Sequence, residues 1–150
     1  MRLPQKLQGF SLFELLVVMA ILGILVIVFL TTYGTSRQNQ ALRVSAEEVA
    51  DKIREAHIFS REQKNDVGWG IRKSGDNSYD LIKGEETAWI SHSSSVLESD
   101  VTFDGDFFIW FDPGSGETVS THTINLINQN GHTIVIEVLE SGVTEVGIIS

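Results

Sequence analysis

The chain contains no cysteine, which removes disulfide frameworks, cysteine–zinc sites and thiol catalysis together. It contains no lysine or arginine after Lys83. Across 150 residues, 20 acidic side chains against 11 basic ones give a net charge of −9. A field of that sign repels phosphate backbones and disfavours nucleic acid as a general partner. His57, His92, His122 and His132 are joined by no H-x-x-x-H or H-E-x-x-H pattern, so no zinc-ligand spacing is present. Glycine-rich phosphate loops, nucleophile elbows and kinase signatures are also missing. Gly114 and Gly116 stand between predicted strands, without a following helix or a P-loop lysine. No cofactor is implied.

Polar residues are nearly absent from one stretch. Residues 10 to 30, FSLFELLVVMAILGILVIVFL, hold a single charge, Glu14. As a helix this run reaches about 31 Å, the hydrocarbon thickness of a bilayer. Arg2 and Lys6 precede it with no acid among the first nine residues. Basic residues before a span keep that end in the cytoplasm, so the remainder of the chain faces outward. A conventional signal peptide has a shorter apolar core and a small-residue cleavage site after it; here the run ends FLTTYG. A plain signal anchor explains the span and its orientation but leaves Glu14 without a reason.

A short basic leader ending in Gly9, then Phe10, Ser11-Leu12-Phe13-Glu14 and an unbroken apolar helix resembles the class III prepilin signature of type IV pilins and type II secretion pseudopilins. The resemblance implies that prepilin peptidase cuts between Gly9 and Phe10, and that Phe10 becomes the N-methylated first residue. It also implies that Glu14, fifth in the mature chain, docks against the Phe10 amine of a neighbouring subunit and sets the axial stagger. The physics gives Glu14 a reason to pair, since a charge near the middle of a bilayer helix costs on the order of 2.5–3.5 kcal/mol. Many pilins have proline where this chain has Thr31, so no fixed kink is implied. Gly23 and Gly34 remain soft points, and the helix is expected to loosen near Thr31–Gly34.

Beyond TTYGTSRQNQ, helical periodicity resumes. Leu42, Ala46, Val49, Ile53 and Ala56 are spaced four and three apart, which predicts one apolar stripe on a helix from about residue 10 to 63. After Asn65 the pattern changes to short alternating segments separated by turn residues. Strands are predicted at 67–73, 78–83, 87–91, 101–104, 107–111, 121–128, 132–139 and 142–149. Asn130-Gly131 is the clearest hairpin signal. The expected fold is α+β and pilin-like, with a long N-terminal helix packed on a C-terminal antiparallel sheet or sandwich. Its parts are a leader at 1–9, a transmembrane and filament-core helix at 10–33, an amphipathic half at 34–65 and a β-rich domain at 66–150. The late segments FIWFDPGSGET and THTINLINQNGHTIVIEVLESGVTEV are similar to the GspH/FimT-type minor pseudopilins.

Two clusters remain. Glu98, Asp100, Asp104, Asp106 and Asp112 supply carboxylates of the kind calcium prefers, with Asp100, Asp104 and Asp106 the candidate ligands. They lack the D-x-[DN]-x-[DN]-G spacing, and a solvated acidic face is the favoured reading. Paired carboxylates also serve glycoside hydrolysis, but an anchored chain without an evident cleft is not read as an enzyme. The run FFIWF is apolar on both faces, one packed inward and the other covered by the helix or a neighbour.

The resemblance implies a minor pilin or pseudopilin, a structural subunit of a type IV pilus or type II secretion pseudopilus. Its partners are prepilin peptidase, other pilins, the inner-membrane platform protein and assembly ATPase, and membrane lipid before assembly. It is expected in the bacterial inner membrane, single-pass, N-terminus cytoplasmic and C-terminal domain periplasmic or extracellular. The alternatives are a DNA-uptake minor pilin and a signal-anchored domain outside any filament.

Overall fold

The computed structural model describes residues 11–98 and 100–149, without the side chains of residues 30–32, 35, 65 and 148–149. The chain divides into two compact units, Met1–Ser36 and Arg37–Ser150. One helix, α1 (Leu12–Arg61), contributes to both. The turn around Thr31–Gly34, where the sequence predicts loosening, stays helical. A lone Gly34 costs about 1 kcal/mol against alanine, and without proline no backbone donor is lost.

In the first unit the helix begins with a long apolar stretch that holds one charge, Glu14. Leu12–Phe29 is an 18-residue stretch of mean hydropathy 3.0. Its large side chains lie exposed, from Leu12 at 84% to Phe29 at 68%. So long and apolar a stretch is suited to lipid or to other such helices.

The second unit is built on the predicted stripe. Leu42, Ala46, Val49, Ile53 and Ala56 are all buried, and Ala50 joins them. Alanine at three of these six positions lets the sheets approach the helix closely. Two serines are buried on the same helix, and each makes a bond. Ser60 Oγ donates to the Phe111 carbonyl at 2.6 Å, and Ser45 Oγ accepts from the Glu98 amide at 3.1 Å.

A 3-10 turn, Lys64–Asp66, leads into eight strands. They are β1 (Gly68–Gly75), β2 (Ser78–Glu85), β3 (Ala88–Val96), β4 (Val101–Asp104), β5 (Phe108–Phe111), β6 (His122–Asn128), β7 (Thr133–Val138) and β8 (Thr144–Ile149). All eight predicted strands are present within a few residues of their expected ends. They form two antiparallel four-stranded sheets, ordered β3-β2-β1-β5 and β4-β6-β7-β8. Both sheets feed one core with the helix stripe, including Trp69, Ile71, Leu81, Ile109 and Phe111 from the first and Phe103, Leu126 and Ile136 from the second. Tyr79 and Phe103 meet edge to face across the sheets at 6.0 Å.

The outer face of the first sheet corrects the expectation for FFIWF. Ile109 and Phe111 point into the core, but neither the helix nor another chain is needed over Trp110, which is 6% exposed. It lies on a floor made by Gly68 and Gly70, where a Cβ would strike its ring. Trp110 stacks parallel to Phe108 at 6.5 Å. Trp89 lies 6.4 Å from Phe108 and carries Arg72 over its ring at 4.3 Å. Arg72 pairs with Asp80 at 3.0 Å, and Ser94 donates to the same carboxylate at 2.6 Å. Burial tends to raise the Asp80 pKa, but the bonds from Ser94, Arg72 and Ser74 and the Arg72 charge outweigh it and hold it below its usual value.

The Asn130-Gly131 hairpin forms, with a three-residue loop. Gly131 alone takes positive φ, 82°. Asn128, buried at the end of β6, explains this. Its Oδ1 accepts from the Asn130 and His132 amides at 3.0 Å each, while its Nδ2 donates to Asn39 Oδ1 on α1 at 3.1 Å. One side chain shapes the loop and ties it to the helix.

At the other end of this helix half, His57 lies against two turn glycines of positive φ, Gly116 at 70° and Gly142 at 79°. A Cβ on Gly116 would stand 2.7 Å from the imidazole, so glycine is required for space as well as for conformation. Burial, and then the Arg61 charge, lower the His57 pKa; burial lowers that of His122.

Histidines with lowered pKa favour the neutral form in the folded state, so stability is lost as pH falls through 6.5, their ordinary value. Asp80 acts later, with its stability lost as pH falls through its depressed carboxylate pKa. Thermal melts between pH 8 and pH 5 should therefore show Tm falling, with a shallower fall in His57→Gln. Asn128→Ala should cost about 2–3 kcal/mol in denaturant unfolding, because the amides of residues 130 and 132 lose their acceptor.

Candidate processing and assembly site

Ser11 and Glu14 begin the described part of the N-terminal site, and Gly9 and Phe10 lie outside the described residues. Ser11 is not helical, and α1 starts at Leu12. The Glu14 amide donates to Ser11 Oγ at 3.1 Å, and the Leu15 amide to the Ser11 carbonyl at 3.1 Å. Ser11 thus accepts as an N-cap accepts, with an acid three residues on, the pattern of a capping box. The Glu14 side chain is exposed. Its position in the first helical turn favours a negative charge, because the free amides there carry partial positive charge. The sequence reading valued Glu14 and passed over Ser11, although S-x-x-E before an apolar run is legible as a cap.

The acidic residues do not gather. Asp100, in the turn before β4, accepts from Gln129 Nε2 at 2.7 Å. Asp104 alternates outward on β4 beside buried Val101 and Phe103. Asp106 pairs with Lys73 Nζ at 3.3 Å, and Asp76 approaches the same ammonium at 3.8 Å. Among the described residues no three His, Asp or Glu side chains form a group able to hold a metal ion. The four histidines are likewise separate. His92 meets Trp69 edge to face at 5.0 Å, and His122 shares a hydrogen bond with Thr118 Oγ1 at 3.1 Å.

A shallow groove of about 480 Å³ runs between α1 and the end of β3, lined by Glu48, Asp51, Lys52, Glu55, Tyr79 and Ser95 among others. Lys52 is paired with Glu55 and Arg54 with Asp51, each at 2.7 Å. These carboxylates are solvent-facing partners of helix cations rather than an opposed acid and base. Adding calcium should leave Tm unchanged. A rise of about 4 °C or more in a thermal melt would reveal a site that ligand binding stabilises.

The membrane-facing half and its capped, acid-bearing start are therefore the features that carry function. Residues 5–30 match the family model described as the prokaryotic N-terminal methylation motif. No curated protein and no solved structure matches the chain. The matched stretch contains the second half of the leader with Lys6, then Gly9, Phe10, Glu14 and the whole apolar run. Residues 5–30 thus carry a pilin-type N-terminal methylation motif, on a chain with an apolar N-terminal helix and an α+β fold.

Proposed function

We propose that the mature chain is a minor subunit of a type IV pilus or type II secretion pseudopilus, of the GspH/FimT type. Prepilin peptidase releases residues 1–9 at the Gly9–Phe10 bond, and Phe10 is methylated on its new amine. The chain waits in the inner membrane as a single span with its β domain on the far side, until the platform protein and assembly ATPase move it into a filament. The observation that carries this reading is the position of Glu14, the lone charge in a run that is otherwise fit for lipid.

The chemistry favours such an exchange of surroundings. In lipid an ionised carboxylate is costly, and leader removal creates a positive amine four residues before it. Held within one helix, that amine and Glu14 neutralise each other incompletely. A neighbouring subunit displaced along its axis brings its own amine to Glu14. The exposed apolar side chains of residues 12–29 then pack against helices of the same kind instead of lipid.

The surface charge argues against DNA uptake as the role. From residue 84 onward there are eleven acidic residues and no lysine or arginine. Phosphate binding needs cations that this surface does not offer.

Glu14→Val tests the reading. The variant should be processed and membrane-inserted like the wild type but depleted at least tenfold from the sheared filament fraction, about 1.4 kcal/mol of lost docking. Incorporation at the wild-type level would remove Glu14 from the assembly step.

A further inference from the structure

We propose that two free sheet edges join copies of this chain head to tail, β8 of one copy adding as a parallel strand to β3 of the next. The proposal rests on the filament reading for one point, the shared orientation of the copies. An edge strand leaves backbone amides and carbonyls without partners, and proteins ordinarily blunt it with charge, proline or shortness. β3 is nine residues long, AWISHSSSV, with no proline, lysine, arginine or acid. Its one interruption is a bulge between Ser91 and Ser93. β8 carries a single charge, Glu145. Among the described residues, no backbone hydrogen bond outside the strand ladders engages either strand.

On each sheet a row of side chains leaves the core and ends at the free edge in an uncovered aliphatic residue. Trp69, Lys83 and Ile90 stand opposite one another across β1, β2 and β3, and therefore share one face. Ile124, Ile136 and Val146 do the same across β6, β7 and β8. Trp69, Ile124 and Ile136 belong to the core, whereas Ile90 is 61% and Val146 40% exposed. Both edge residues thus lie on the core-facing side of their sheets. A joined sheet brings them onto one face, where each covers the other, while the main chains supply the hydrogen bonds.

The strand directions suit copies that point the same way. β3 starts level with Gly68, next to Trp69 and its partner Phe59, and ends just before Glu98, whose amide bonds to Ser45. β8 starts after Gly142, which lies against His57, and ends opposite Thr133, beside the loop that Asn128 ties to Asn39. Both strands therefore run against α1. Copies delivered from one membrane into one filament share an orientation, so β3 and β8 meet in parallel. A two-fold pairing of β3 with itself is antiparallel and reverses one copy. Charge separates the edges in the same sense. Lys64 and Lys83, on the β3 side, form no ion pair among the described residues. Glu137 and Glu145, both exposed, stand directly opposite each other on the β8 side. Pairing β3 with β8 brings unlike signs together, and pairing either edge with itself brings like signs together.

Because the chain has no cysteine, introduced thiols report the contact alone. Ile90→Cys, Thr144→Cys and Val146→Cys are made in the full chain, reconstituted into liposomes singly or mixed, and oxidised with copper phenanthroline. The two β8 positions share a face two residues apart, which allows for an axial shift between neighbours. Ile90→Cys mixed with one of the β8 variants should give about fivefold more disulfide dimer than any variant alone. The double variant Ile90→Cys/Val146→Cys should give a ladder of multimers, as a head-to-tail contact requires. No excess dimer in either mixture would overturn the proposal. So would Ile90→Cys dimerising alone as well as in the mixtures, the mark of a two-fold pair, or an Ile90→Cys adduct with a different protein in oxidised cells. Chain found in sheared filaments without the mixed dimer would overturn the pairing and spare the filament reading. The mixed dimer in a chain absent from filaments would uphold the pairing and overturn that reading.

Discussion

A carboxylate in the first turn of a lipid-facing helix has few ways to be stable, and Glu14 is that carboxylate. Water at the membrane surface, the free amides of its own helix start and a positive amine are the available sources of relief. The first two serve a chain waiting in the bilayer. In the proposed assembly the third appears when the leader is removed, and it comes from a neighbouring subunit. On that proposal a single acidic residue couples proteolysis to assembly. The basic leader, the apolar run and the capped start at Ser11 all take their meaning from it.

The same helix meets two different solvents. From Leu12 to Phe29 every residue but Glu14 is apolar or glycine. From Leu42 to Ala56 only one stripe is, and the other faces carry charges such as Asp51 and Arg54, paired at 2.7 Å. Within the second unit, small alanines on the stripe bring both sheets onto the helix, and buried Ser45 and Ser60 bond to Glu98 and Phe111. Asn39 and His57 hold the hairpin loop and two glycine turns at opposite ends of that half. The domain is thus fastened along the helix by polar contacts at its ends and apolar ones between.

Much of this was legible in the residues, for identifiable reasons. Heptad-like spacing from Leu42 to Ala56 names the buried face because a helix has one period and one side to bury. Alternation marks the eight strands for the same kind of reason. What escaped were features that depend on pairs far apart in sequence. Nothing near Trp110 announces that Gly68 and Gly70, forty residues earlier, clear a floor for its ring. Nothing in Asn130-Gly131 says that Asn128 will take two amides and shape the loop. The acidic residues looked like a cluster in one dimension and are dispersed in three, because Gln129 and Lys73 claim Asp100 and Asp106 separately. At the N-terminal site the motif identified Glu14 at once, while the serine that caps its helix was read merely as part of the motif.

The most direct measurement is the intact mass of the chain extracted from membranes of cells with and without prepilin peptidase. Loss of residues 1–9 together with the gain of one methyl group, seen only where the peptidase is present, is the predicted result. An unprocessed mass in both membranes would contradict it, and would leave Glu14 as the snorkelling acid of an ordinary anchor.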